Sequence, residues 1–197
     1  MPRIPALPRD ELPDSLQPVH DHLASFATSK FGNAFTYKDP SNGALLGPFP
    51  FYVASGQFGA TCLDFFGHFS SLPGLSKEAR ETAILAVGAR YQAGFELYSH
   101  TNVARKATGL SDEQVESLAK GVKPEGLGDD CTAAFDAAVS LVSKPGALPQ
   151  ELWDRSIKAL GKEGTISLVH FVGYYACEYY LHDSAWVWRV ITLLTGG

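Results

Sequence analysis

Two carboxyl groups and one imidazole stand out because they occupy positions where apolar residues are expected. From Phe95 to Thr108, a rotation of about 100° per residue puts Glu96, His100, Val103 and Ala107 on one stripe, with Thr101, Asn102, Arg105 and Lys106 turned the other way. Glu81 repeats the pattern one helix earlier, with Ile84, Leu85 and Gly88 following at three, four and seven positions. Burying such groups alone is costly, so they either pair, as Glu96 and His100 can at i,i+4, or serve something in the interior. Carboxylates and a histidine facing a low-dielectric interior perturb one another's proton affinity, which poises general acids and bases near neutral pH. The same spacing also fits a satisfied structural pair, and a glutamate early in a helix complements the helix dipole.

A second set lies near the C-terminus, where His170, Tyr174, Glu178 and His182 step by four. A transition-metal site needs three or four ligands, and no matching pair exists elsewhere in the chain, so packing in an aromatic cluster is the reading and no metal is assigned. His68, in DFFGHF, is a lone histidine among aromatics and reads as core or pocket lining. The loop Asn42 to Pro50 joins glycines to rigid prolines and could wall a site, or merely connect helices. Cys62, Cys131 and Cys177 stand far apart, with no CxxC pair and no basic motif to favour thiolate, which makes a structural role the default. No GxSxG, P-loop, HExxH or dinucleotide fingerprint is present, so no cofactor is expected.

The elements that must position these groups read as helices, with strand-like alternation absent. Gly/Pro punctuation falls between Phe31 and Pro50, at Lys120 to Asp129 and at Lys144 to Pro149. Helices are predicted over Leu12–Lys30, Phe51–Ser71, Ser76–Tyr91, Phe95–Thr108, Asp112–Lys120, Asp130–Ser143, Gln150–Leu160 and Thr165–Leu181. Ser76 can cap the third, Ser111 and Gln114 have capping-box spacing, and Gly94 supplies the break before Phe95. The last helix is apolar on nearly every side and is expected at the centre of a bundle. Residues 1–15, rich in proline and charge, read as an extended arm rather than a secretory signal.

Composition bounds the rest. With 197 residues, 45% of them hydrophobic, the chain can bury one domain, taken as residues 1–197. A net charge of −5 and no basic run argue against nucleic acid. No stretch approaches the roughly 20 apolar residues of a membrane span. Charged residues at 19%, below the usual ~25%, suggest a surface partly covered by further copies, hence a homo-oligomer. Unpaired cysteines fit a reducing, cytoplasmic setting.

NGALLGPF, followed by LSKEARETAILAVGARYQAGFELYSHTNVARKATGLSDEQV, resembles the carboxymuconolactone decarboxylase-like family, related to alkyl hydroperoxidase D. The match is best from Asn42 to Gly121, with weaker likeness in GKEGTISLVHFVGYYACEYYL. The resemblance implies an all-α fold of the alkyl hydroperoxidase D type, a bundle of about seven helices assembled into dimers, trimers or hexamers. In the hydroperoxidase branch a CxxC pair precedes the histidine. Here Ala93 and Glu96 occupy those two positions, so a dithiol peroxide-reducing activity is disfavoured. Glu81 and His100 match the relay glutamate and histidine.

The decarboxylase branch, which lacks the redox cysteines, implies a cofactor-independent lyase or isomerase. Its reaction would be decarboxylation, double-bond isomerisation or cyclisation of a lactone or other enolisable, hydrophobic small molecule. In that reading His100 donates the proton, Glu96 orients and tunes it, and Glu81 completes the relay. His68, Phe49, Phe65 and Tyr174 would contact the substrate, with Phe51 and Phe66 adding to the aromatic supply. The alternatives are the peroxide-reducing oxidoreductase and a non-catalytic small-molecule-binding oligomer.

Overall fold

A computed structural model describes residues 3–144 and 146–185, with side chains as far as 181. The side chain of His182 and everything beyond residue 185 therefore lie outside the described residues. Among those described there is no strand, only an isolated antiparallel bridge between Lys38 and Leu45. The chain is all-helical, as its periodicity indicates, and divides into two compact units: Leu72–Tyr179, and the residues on either side of it.

The N-terminal unit contains α1 (Gln17–Phe31), α2 (Phe49–Ala54) and α3 (Gln57–Phe69). Val19, Leu23 and Ala27 recur every four residues along α1 and pack with Leu45, Tyr52, Val53, Ala60 and Leu63 into one core. The arm is fastened rather than free: after a 3-10 turn at Arg9–Glu11, the Arg9 guanidinium donates to both carboxylate oxygens of Asp21 at 2.7 and 2.9 Å. Between α1 and α2, Asp39 accepts from the backbone and hydroxyl of Ser41, and Asn42 accepts from the Ala44 amide. These Asx turns fold the NGALLGPF segment inward, so Leu45 and Leu46 are buried.

The second unit is built on α4 (Lys77–Tyr91), packed against α5 (Gly94–Ala107), α6 (Asp112–Ala119) and α7 (Asp129–Ser143). Ser76 caps α4 as predicted, accepting from the Ala79 amide at 3.0 Å while its hydroxyl donates to Asp130. The capping box at Ser111 and Gln114 is likewise present. Every residue from Glu81 to Gly88 is buried, so α4 holds the central place expected of the last helix. Ala83, Ala86 and Gly88 are small enough for neighbours to close on several sides. The last helix, α8 (Gln150–Ala185), joins the two predicted segments across a non-helical residue, Gly161, at φ 71°. It buries Leu168, Phe171, Val172, Tyr175 and Tyr179 but leaves Ile166, Val169 and Tyr180 exposed, which corrects the expectation of an all-round buried helix.

Three other boundaries differ from the sequence reading. The first helix starts at Gln17, with Pro18 in its first turn, and not at Leu12. The segment read as one helix from Phe51 to Ser71 is two, because Gly56 turns at φ 60° and a Cβ on Gly59 would strike the Tyr52 backbone. The break before α5 is made by Gln92 in the left-handed region, φ 54°, with Gly94 already helical. No helix among the described residues is long and apolar enough to cross a membrane.

The second half of α8 is seated on the turn ahead of α4. Gly164 lies so close to Gly74 that a Cβ on either would meet the other's backbone, and the Ser167 hydroxyl donates to the Pro73 carbonyl at 2.7 Å. Gly173, one helix face away, has open space around it. Gly164→Ala should therefore cost about 1–3 kcal/mol of unfolding free energy. Gly173→Ala should add up to ~1 kcal/mol through helix propensity. Urea unfolding of both variants checks this; a shift in the same direction for the two would contradict the close approach.

Candidate acid/base site

The central position of α4 forces the question of what Glu81 does there. Its side chain is 8% exposed. The left-handed turn at Gln92 returns the chain so that α5 lies along α4, and His100 meets Glu81 across the two helices: Nδ1 to Oε2 is 2.8 Å. A carboxylate only accepts, so the ring nitrogen facing it carries the hydrogen and Nδ1–H donates to Glu81. The opposite nitrogen, Nε2, lies 3.2 Å from the Tyr175 hydroxyl and 3.6 Å from Glu96 Oε2. Glu81, Glu96 and His100 thus converge, as their placement on apolar stripes predicts, with His100 in the middle.

The division of labour differs from the expected one. Glu81, from the neighbouring helix, makes the short bond that fixes the imidazole, whereas Glu96 at i,i+4 stands beyond hydrogen-bond distance of Nε2. Positioning therefore belongs to Glu81. Tyr175 was not among the predicted site residues. The ring selected from the series stepping by four, Tyr174, is half-buried and stands edge-on to Tyr175 at 5.7 Å. The apolar stripe Leu168, Phe171, Val172, Tyr175 and Tyr179 carries the signal that finds the correct tyrosine.

Tyr175 is itself held from several sides. Its ring stacks on Phe171 at 6.3 Å, stands edge-on to His100 at 5.3 Å and packs against Tyr179 at 5.8 Å. Arg80 lies 5.1 Å over the outer ring, Phe171, and the Tyr179 hydroxyl donates to the Ile84 carbonyl. Burial, then the negative charge of Glu81 and Glu96, pushes the Tyr175 hydroxyl well above the ordinary phenol range. It stays protonated and can donate to Nε2 of a neutral imidazole or accept from an imidazolium. For His100, burial opposes protonation, but the charge and hydrogen bond of Glu81 and the charge of Glu96 outweigh it and raise the imidazole above its usual 6.5.

The remaining predicted contacts belong to the N-terminal unit. Phe49 is a core side chain there, 2% exposed and packed against Tyr37. Phe65 and His68 are exposed on α3, with Phe65 edge-on to Phe69 at 4.9 Å. On α5, Ala107 is exposed although it was placed on the buried stripe, since the helix end runs out of the core. Glu81 and Glu96 approach opposite ring nitrogens rather than one point, so they do not frame a metal with His100. Among the described residues no group of three His, Cys, Asp or Glu side chains does so. Cys131 is buried on α7, and burial, with Asp130 beside it, pushes its thiol up to about 11. Cys62 is partly buried and Cys177 exposed.

Comparison with known protein families gives no matching family model, and comparison with curated proteins gives no match.

Because His100 binds its proton more tightly when folded, the stability it contributes is complete below about pH 6.5. That contribution is lost as pH rises through the higher folded value. In an NMR titration the His100 ring protons, assigned with His100→Gln, should report a midpoint above 6.5. Glu81→Gln should lower that midpoint and shrink the pH-dependent part of stability between neutral and mildly alkaline pH. An unchanged midpoint in Glu81→Gln would remove Glu81 from its positioning role.

Proposed function

We propose that the chain is a cofactor-independent acid/base enzyme, a lyase or isomerase acting on a lactone or other enolisable, hydrophobic small molecule. The observation that carries the proposal is the asymmetry of His100: Nδ1 is tied at 2.8 Å to Glu81, while Nε2 faces Tyr175 and Glu96. A ring anchored through one nitrogen has its other nitrogen aimed, which is the requirement for proton transfer at a fixed point. The resemblance of NGALLGPF and the LSKEARE to DEQV segment to the carboxymuconolactone decarboxylase-like family, and the all-helical chain, support the same reading. So does the departure from a dithiol site, with Ala93 and Glu96 at the two cysteine positions.

In this mechanism the substrate's enolisable carbon displaces the Tyr175 hydroxyl from Nε2. For isomerisation, neutral His100 takes the proton and Nδ1–H···Glu81 stabilises the imidazolium. The electron pair passes to the enolate, and the imidazolium returns the proton at the far end of the conjugated system. For decarboxylation, the C–C bond electrons pass to the dienolate as CO2 leaves. Imidazolium Nε2–H then protonates carbon, and solvent restores the imidazolium. Tyr175, kept protonated, donates a hydrogen bond to the enolate oxygen. Two carboxyl groups flank a single imidazole, so the arrangement favours isomerisation of a neutral substrate, which takes and returns one proton, over decarboxylation of a carboxylate, which consumes one.

The same proposal takes the fold as the alkyl hydroperoxidase D type, the setting as cytoplasmic, consistent with three unpaired cysteines, and the assembly as a homo-oligomer. In the second unit Ile166 and Val169 lie exposed on α8, three residues apart, apolar side chains that a second copy would cover.

Deuterium incorporation from heavy water into enolisable unsaturated lactones, followed by NMR, tests the activity. His100→Gln should cut exchange by about 10²–10⁴-fold, and a variant with all three cysteines replaced by serine should keep it. Full exchange in His100→Gln removes the assignment. Loss in the cysteine-free variant, with the fold intact, points to thiol chemistry.

A further inference from the structure

A partly open cavity of about 140 Å³ lies in the N-terminal unit, between the arm and the α1–α2 pair. Ile4, Leu12, Leu16, Leu45 and Val53 form much of its wall, and the polar side chain among its lining residues is that of His20. His20 is 4% exposed, and neither ring nitrogen hydrogen-bonds to any described group. Its nearest charged neighbour, Asp21, is 3.6 Å from Nδ1, past hydrogen-bond distance, and its carboxylate is already engaged by Arg9. A buried imidazole with both nitrogens unused is an unsatisfied polar group, and native interiors keep few of these without a reason.

Water is a poor answer to that deficit. A buried water needs about two to four polar partners, and these walls offer the His20 ring set among leucine, isoleucine, valine and proline. The space matches a single ring instead: an apolar cavity of about 150 Å³ takes up benzene. A charged ligand would lose its hydration with no counter-charge in the wall, so the occupant is neutral. Burial also pushes the His20 imidazole below its usual value, which leaves one ring nitrogen as an acceptor and the other as a donor.

We propose that this cavity is a binding site for a neutral, single-ring phenol-class molecule, its ring against Leu12, Leu16 and Val53 and its hydroxyl hydrogen-bonded to the unprotonated nitrogen of His20. The arm closes over it, latched by Arg9 and Asp21. The inference stands apart from the acid/base reading, because it uses none of the groups around His100.

The test is calorimetric titration of the full chain with phenol and with toluene, which share the ring and differ in the hydroxyl. Phenol should bind at one site, about tenfold or more tighter than toluene, and His20→Leu should erase that preference. Ile4→Trp, which fills the cavity from the arm and leaves His20 unsubstituted, should abolish binding of both. Equal affinity for phenol and toluene, phenol binding that survives Ile4→Trp, or no binding of either compound to the wild-type chain would each overturn the proposal. If His20→Leu does not fold, the phenol-to-toluene ratio on the wild-type chain and the Ile4→Trp result decide it.

Discussion

The hydrogen bond between Glu81 and His100 is the constraint around which the second unit is arranged. A carboxyl group in the second turn of α4, at the start of a run in which every residue from Glu81 to Gly88 is buried, is tolerable only if something polar reaches it. That partner comes from the next helix, which requires α4 to end and the chain to reverse within a few residues. Gln92 does this in the left-handed region, a conformation that glycine adopts with less strain. Once His100 is committed to Glu81 through Nδ1, its Nε2 also needs a partner, and Tyr175 of α8 supplies one. The seat that brings α8 there is the backbone approach of Gly74 and Gly164. A buried ion pair of this kind adds little net stability over apolar packing, while loss of one member leaves the other stranded. Its retention at the centre of the unit is therefore better explained by placement of the imidazole than by stability.

Much of this was legible in the sequence, for identifiable reasons. Glu81, Glu96 and His100 betray themselves because charged groups at apolar-stripe positions must find one another. Ser76, and Ser111 with Gln114, are visible because a cap needs only local residues in a fixed order. Tyr175 was missed because the stepping by four from His170 picks residues by type, whereas burial on α8 follows the apolar stripe. His170 is in fact exposed. The break at Gly56 was missed because the sequence holds many glycines, and only the fold decides which must turn with positive φ.

Aromatic residues were the least legible part. Phe49, Phe65 and His68 look alike as pocket lining when judged by side-chain type, yet Phe49 belongs to a core while Phe65 and His68 face outward on α3. On that helix Ala60 and Leu63 form the buried stripe, and Phe58 and Phe65, seven residues apart, share the opposite face. The N-terminal unit also holds a buried polar group, His20, that the sequence reading passed over. His20 sits at i,i+3 from Leu23 on the buried stripe of α1, the same signature as His100, but with no carboxylate brought to hydrogen-bond it. Two histidines on apolar stripes thus have different surroundings, one hydrogen-bonded to Glu81 and one with Asp21 beyond hydrogen-bond distance.

That contrast sorts their chemistry. Around His100 the two carboxyl groups outweigh burial, so the ring binds its proton more tightly than an ordinary imidazole. Around His20 burial dominates over Asp21, and the ring favours its neutral form, suited to accepting a hydrogen bond from a neutral partner. Cys131 offers no third centre of this kind: it is held as a thiol by burial and Asp130, so it is a poor nucleophile and a poor partner for disulfide exchange. The second unit is accordingly organised around the placement of one imidazole, with Nδ1 tied to Glu81 and Nε2 facing Tyr175. The side chains that hold it come from two consecutive helices, α4 and α5, and from the distant α8, and each contact limits the freedom of the imidazole.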